Sequence, residues 1–214
     1  RRADAAKLRQ FLRKELPTLK VSAPRLRKNQ AWMKKWRAHY RPFKVGANGE
    51  VLWIIPAWQK PPAAARGKKF VWIHPGQAFG AGTHATTQAC LEAFLRQSAP
   101  SGDEFKIMDF GAGTGILGIA AMVLLKTTKP RLVAVEIDPE ARKILKKNLL
   151  KNRVRARSLA AIPKQEKFDL IFANVLAPVL LAERNKLLQS LKPGGALILS
   201  GILGVEAKTF IQDF

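Results

Sequence analysis

Ile107-Met108-Asp109-Phe110-Gly111-Ala112-Gly113-Thr114-Gly115-Ile116-Leu117 sets an apolar run against three glycines at alternate positions and then returns to apolar residues. The run before the glycines reads as a buried strand and the residues after them as the start of a helix, so the glycines occupy a strand-to-helix turn. Glycines there let the backbone pass close to a ligand, and the helix N-terminus beyond supplies unpaired N–H groups and the positive end of a dipole. A dinucleotide fingerprint would place its third glycine five positions after the first, at Ile116. Gly115 comes one residue early, which disfavours a pyrophosphate ligand.

Outward from this turn the chain alternates short, fully apolar runs with amphipathic stretches, the pattern of parallel strands covered on both faces by helices. The runs predict strands at residues 105–110, 131–137, 154–158, 168–173 and 196–200, with helices near 84–97, 114–126, 139–152, 178–191 and 205–213. The fold class is therefore α/β: a Rossmann-like doubly wound, mostly parallel sheet with a short basic N-terminal helical/strand extension. In that extension, residues 51–55 and 70–74 read as two strands joined by a stiff loop containing Pro56, Pro61 and Pro62. Before them, Leu8, Leu12 and Leu16 recur at helical spacing up to Pro17, and Asn29 can cap a second helix carrying Trp32 and Trp36 on one face.

The chain has 214 residues, with 38 Lys and Arg against 15 Asp and Glu, a net charge of +23. A hydrophobic content of 47% excludes a disordered chain. The single cysteine, Cys90, cannot form an internal disulfide, and with three histidines it leaves little material for a metal site, so no metal is expected. No apolar run approaches the roughly 18 to 20 residues of a membrane span. A cytoplasmic protein without membrane contact is the expectation. Residues 1–75 hold 19 of the Lys and Arg, three of the Asp and Glu and all five tryptophans. That mixture suits either nucleic acid, through phosphate pairing and base stacking, or a small core with a solvated basic face. A second run, Arg142, Lys143, Lys146, Lys147, Lys151, Arg153, Arg155 and Arg157, reads as a solvated helix face or as a patch tracking phosphates.

Candidate chemistry sits at the strand ends. Val133-Ala134-Val135-Glu136-Ile137-Asp138-Pro139 ends in a carboxylate, Glu136, that can accept both ribose hydroxyls of an adenosine cofactor. Together with the short glycine spacing this matches S-adenosylmethionine, which has no pyrophosphate to cradle. Asp138, followed by Pro139, reads as a helix N-cap. Phe168-Asp169-Leu170-Ile171-Phe172-Ala173-Asn174 delivers Asn174 to the carboxyl edge of the sheet. Its amide can touch the cofactor's methionine end or a substrate nitrogen, or it can satisfy a strand-to-helix turn. His84 reads as a helix-starting residue and Cys90 as core.

With Pro75-Gly76-Gln77-Ala78-Phe79-Gly80-Ala81-Gly82-Thr83-His84-Ala85-Thr86-Thr87 added, the chain from about Asn29 onward resembles the PrmA-type methyltransferases, which methylate lysines and the N-terminal amine of ribosomal protein L-eleven. Trp32, Trp36, the Trp53 to Pro62 stretch, Leu191-Lys192-Pro193-Gly194-Gly195 and Ser200-Gly201-Ile202-Leu203 extend the likeness. The resemblance implies S-adenosylmethionine as cofactor, bound by Phe79, Thr83, Thr87, Gly111, Gly113, Glu136 and Asn174, with Asn174 also the catalytic residue. Ala81, Ala85, Ala112 and Thr114 stand where the family usually has Thr, Pro, Cys and Ser, changes that leave the glycine geometry intact. The family also carries a separate N-terminal recognition domain and a terminal strand hairpin. The expected organisation is thus 1–28, a basic helical extension or remnant of that domain; 29–75, a linker helix and strand pair; and 76–214, the methyltransferase domain lacking its last strands.

The implied partner is a ribosomal protein, with weak, non-specific rRNA contact through the basic surface. Methylation of RNA or DNA is the first rival, but Asn174-Val175-Leu176-Ala177 lacks the prolines and the aromatic ring that stack on a flipped base. A nicotinamide oxidoreductase is disfavoured because the sole tyrosine, Tyr40, lies outside the sheet region. A basic, non-enzymatic RNA-binding scaffold is the third reading.

Overall fold

The computed structural model describes residues 40–75, 82–97, 104–125, 129–202 and 204–214. The chain divides into two compact units, Arg1–Tyr40 and Arg41–Phe214. The helices read at residues 3–16 and after Asn29, and Phe79 of the candidate site, fall outside the described residues.

Within the second unit, β1 (Phe43–Ala47) and β2 (Glu50–Pro56) form an antiparallel hairpin, and β3 (Lys69–Ile73) pairs with β2 in parallel. The two strands expected here are β2 and β3; β1 is additional. It closes on Asn48 and Gly49, whose φ angles of 51° and 77° put both turn residues in the left-handed region that hairpins of this twist require.

The main sheet holds β4 (Glu104–Phe110), β5 (Lys129–Val135), β6 (Ala156–Leu159), β7 (Phe168–Asn174) and β8 (Leu191–Ser200), all parallel, in the order β6-β5-β4-β7-β8. Helices α1 (Ala85–Arg96), α2 (Ile116–Leu124), α3 (Pro139–Lys151), α4 (Ala177–Gln189) and α5 (Ala207–Asp213) complete the unit. Alternation along the strands sorts the core. Ile107, Leu132, Ala134, Leu170, Phe172 and Ile198 join Leu91, Ile119 and Leu145 of the helices and Leu52, Ile54, Val71 and Ile73 of the small sheet. Met108, Val133, Val135, Ile171 and Ala173 meet Leu180, Leu187 and Phe210 on the other side. Each such Val, Leu, Ile, Met or Phe side chain contributes roughly 1.5–3 kcal/mol on full burial.

Several boundaries differ from the sequence reading, two of them for a local reason. β8 begins at Leu191, not 196, because the strand passes through an irregularity at Lys192-Pro193-Gly194-Gly195, with Gly194 at a φ of 74°: Phe168 pairs with Leu191 but Leu170 with Ala196. Helix α2 begins at Ile116, not 114, because the left-handed turn of Gly113 and Gly115 holds the chain out of the helix for two more residues. Among the described residues no helix is long and apolar enough to cross a membrane. Strand order reverses between β4 and β7, so the carboxyl ends of these two strands flank the crevice where open α/β sheets bind ligands.

Candidate active site

The glycine turn leaves β4 at that crevice and is held from both sides. The Glu136 carboxylate accepts from the Gly113 N–H at 2.7 Å through Oε2 and from the Asp138 N–H at 2.9 Å through Oε1. Ala112 N–H donates to Val135 O, tying the turn to the tip of β5. Asp138 caps α3 by accepting from Glu140 N–H, with Pro139 in the first turn, as its sequence context indicates.

Asp109, at the end of β4, is a participant that local reading did not single out. Its Oδ2 accepts from the Gly118 N–H at 2.9 Å, in the first turn of α2, whose N-cap position is Gly115 and offers no side chain. The carboxylate thereby takes over the capping of α2 from nine residues away. Gly118 permits the approach, since a Cβ there would lie 2.7 Å from Leu132 Cδ1 and 3.1 Å from Asp109 Oδ2. Burial pushes the Asp109 carboxyl up to about 7; the Gly118 bond opposes that rise and the Glu136 charge adds to it.

The other bank is formed by β7 and α1. Asn174 and Thr87 are both buried, and Asn174 Nδ2 makes a long 3.5 Å hydrogen bond to Thr87 Oγ1. Asn174 Oδ1 is buried and accepts no hydrogen bond among the described residues. The next residue, Val175, is wedged between two glycines. A Cβ on Gly111 would sit 2.1 Å from Val175 Cγ1, and one on Gly201 would sit 2.1 Å from Val175 O, with φ of 68° and 86° at the two positions. Both glycines are therefore required for close approach to the β7 tip that carries Asn174.

Helix α1 begins as its sequence implies: His84 is the N-cap and accepts from Thr86 N–H. Thr83 is exposed beside it, its carbonyl accepting from Gln88 Nε2, and among the described residues its side chain makes no hydrogen bond to Asn174 or Glu136. Cys90 is core, 1% exposed; burial pushes its thiol up to about 11 against a hydrogen bond with Ser200.

Three features bear on what this crevice fits. Glu136 places a buried carboxylate against the turn in a chain whose net charge is +23, which suits a cationic ligand. The Asn174 oxygen awaits a donor. Ile137, directly after Glu136, and Leu176, two residues after Asn174, are 80% and 71% exposed and give the rim apolar surface near each polar group. These are the demands of an adenosine-bearing sulfonium together with an N–H donor.

A profile of the family described as Ribosomal protein L11 methyltransferase (PrmA) matches residues 2–213. The chain is 36% identical to the Ribosomal protein L11 methyltransferase of Geobacter metallireducens over 97% of its own length and 68% of that protein's. It is 35% identical to that of Cellvibrio japonicus over 86% and 60%, so it spans about two thirds of the length of these relatives. Among solved structures, the ribosomal protein L11 methylase of Lactobacillus delbrueckii subsp. bulgaricus superposes with a TM-score of 0.65 at 27% identity, covering 81% of this chain and 86% of that one. The cofactor of this family is S-adenosylmethionine, in keeping with the donor set just described. By profile, identity and fold, the chain belongs to the ribosomal protein L11 methyltransferase (PrmA) family.

Proposed function

We propose that the chain is an S-adenosylmethionine-dependent N-methyltransferase that acts in the cytoplasm on amine nitrogens of ribosomal protein L11, its lysine side chains and its N-terminal amine. The observation that carries this reading is the unpartnered Asn174 Oδ1 at the strand-order reversal, an acceptor of the kind an amine N–H requires. When bound, the cofactor supplies an electrophilic methyl carbon on a sulfonium. Glu136 keeps lone pairs beyond those engaged by Gly113 and Asp138 and is assigned to the ribose hydroxyls. Gly111 and Gly113 give the backbone its close path, and Thr87 steadies the Asn174 amide. Thr83 and Phe79 are assigned to the cofactor on the family resemblance alone.

A lysine must react neutral, and a reference pKa of about 10.4 leaves roughly 0.1% neutral at pH 7.4, a handicap of about 4 kcal/mol. Leu176 and Val179, both exposed at the start of α4, offer apolar surface that disfavours the charged amine. Asn174 then orients the nitrogen, and positioning with desolvation supplies the catalysis without a general base. Val175-Leu176-Ala177 offers no ring to stack on a base, which favours a protein amine over a nucleobase. Incubation with labelled S-adenosylmethionine, isolated L11 and rRNA tests the reading. Label on L11 amines is expected; label on the rRNA, or none on L11, overturns it.

The same proposal includes weak rRNA contact through the cationic surface. Lys146, Lys147, Arg153 and Arg155 are exposed and make no ion pair among the described residues, whereas Lys143 pairs with Glu140 and Arg157 with Glu166. Counterion release would make such binding fall roughly a thousandfold between 50 and 200 mM salt if about six phosphates are engaged. Electrophoretic shift at the two salt concentrations checks this, and no binding at low salt removes the contact.

A further inference from the structure

Two asparagines on one face of α3 treat the open edge of β3 as if each were a neighbouring strand. Among the described residues β3 pairs with β2 on one side only. On its other side, Trp72 N–H donates to Asn152 Oδ1 at 2.7 Å and Asn152 Nδ2 returns a 2.7 Å bond to Trp72 O. Two residues on, His74 N–H donates to Asn148 Oδ1 at 2.7 Å and Asn148 Nδ2 returns a 3.1 Å bond to His74 O. A primary amide reproduces a peptide's donor and acceptor pair, and the i,i+4 spacing of the helix matches the i,i+2 spacing of the strand closely enough for both contacts.

The twins differ in their remaining amide hydrogen. Asn152 gives its second donor to Asn148 O, within its own helix. Asn148, which is fully buried, gives its second donor to Thr114 O at 2.8 Å, inside the glycine turn. Thr114 lies between Gly113, whose N–H is held by Glu136, and Gly115, the N-cap of α2. The turn is thus fixed by a carboxylate at the Gly113 N–H and an amide at the Thr114 carbonyl, and the amide is simultaneously anchored to β3.

From this geometry we infer that Asn148 is a positioning residue for cofactor binding: it fixes the Thr114 carbonyl of the glycine turn and couples the turn to the end of β3. It touches no reacting group. The inference rests on the glycine turn being the cofactor site. Asparagine alone satisfies the arrangement, since an aspartate would lose both donors and turn a buried charge toward two carbonyl oxygens.

Asn148→Ala and Asn152→Ala form a matched pair, each removing an amide from the same strand edge. Both should lower the thermal midpoint by similar amounts. Calorimetric titration with S-adenosylmethionine should show a loss of roughly three- to tenfold in affinity for Asn148→Ala, the range of one net hydrogen bond, and no more than about a twofold change for Asn152→Ala. Equal changes in the pair, or none for Asn148→Ala, overturn the inference. Should Asn148→Ala fail to fold, the unaltered chain still decides by NMR. Cofactor binding should slow exchange of the Asn148 side-chain amide protons and leave those of Asn152 unchanged, since coupling between the two events is reciprocal. Identical behaviour of both amides would again overturn it. Glu136→Ala in the same titration separates the premises: unchanged binding there removes the cofactor site itself, whereas lost binding with an intact Asn148→Ala removes only the role of Asn148.

Discussion

On the β4–β5 bank of the crevice, side chains are committed to the backbone before any ligand arrives: Glu136 to Gly113 and Asp138, Asp109 to Gly118, Asn148 to Thr114 and His74. On the β7 bank, Asn174 holds one long contact to Thr87 and keeps its oxygen unpartnered. A buried acceptor without a donor costs about 1–3 kcal/mol, so a chain retains one where a ligand completes it. The contrast separates preorganisation from readiness. On the proposed function, the first bank is stiffened so that a cofactor loses little freedom on binding, and the second holds an incomplete hydrogen-bond set for the incoming amine.

The stiff bank is best tested through its buried carboxyls. Asp109 has its pKa raised from 3.8 to about 7, so the native protein retains a proton that the unfolded chain releases. Stability from this source is complete below about pH 4 and is lost as pH rises to about 7, a decline of at most about 4 kcal/mol. Asp109→Asn keeps an acceptor for Gly118 N–H and removes the titration. Urea unfolding from pH 4 to 8 should therefore show the variant gaining on the parent across that window; parallel curves would mean the carboxyl titrates normally.

Glu136→Ala should follow in size. It deletes an acceptor shared by two backbone N–H groups together with the one assigned to the ribose, and a charge-assisted bond is worth about 1.5–3 kcal/mol. Cofactor affinity should fall on the order of ten- to hundredfold by calorimetry, with a lower thermal midpoint in the free protein. A variant that loses affinity at unchanged stability would show that the Gly113 and Asp138 bonds do not brace the turn.

The two banks were not equally legible in the sequence. The strand–turn–helix alternation, the glycine turn, Glu136 and the Asp138 cap are local patterns, each written within a few consecutive residues, and all reappear in the fold. β1 is also written locally, in Asn48-Gly49 between two apolar runs, though the sequence reading places only two strands here. Asp109 stands inside the glycine-turn motif, yet its partner is nine residues on and is met only because the turn is left-handed. Asn148 and Asn152 were hidden in a run of lysines. Their partners lie 74 and 80 residues upstream, and no periodicity along α3 marks a side chain that will serve as a strand. Asn174 was legible by position, whereas the state of its oxygen depends on what surrounds it in three dimensions.

The smallest change expected in the free protein, and the one that reads the open bank directly, belongs to Asn174→Ala. Its removal sacrifices a single 3.5 Å contact with Thr87 and eliminates an unpartnered buried oxygen, so the thermal midpoint should hold or rise slightly. Turnover should behave otherwise. As the methyl group is transferred, the accepting nitrogen changes from a neutral amine to an ammonium, and the bond from its N–H to the Asn174 oxygen strengthens in step with that charge. An interaction stronger in the transition state than in the ground state acts on kcat more than on binding. A neutral bond is worth about 0.5–1.5 kcal/mol and one to a charged donor about 1.5–3, so kcat should fall roughly ten- to hundredfold while cofactor affinity changes severalfold at most. Steady-state kinetics on L11 paired with cofactor calorimetry resolves the two. Equal losses in kcat and cofactor affinity would move the Asn174 oxygen from the incoming amine to the methionine end of the cofactor, and the open bank would then be a second preorganised one, finished by the cofactor instead of the substrate.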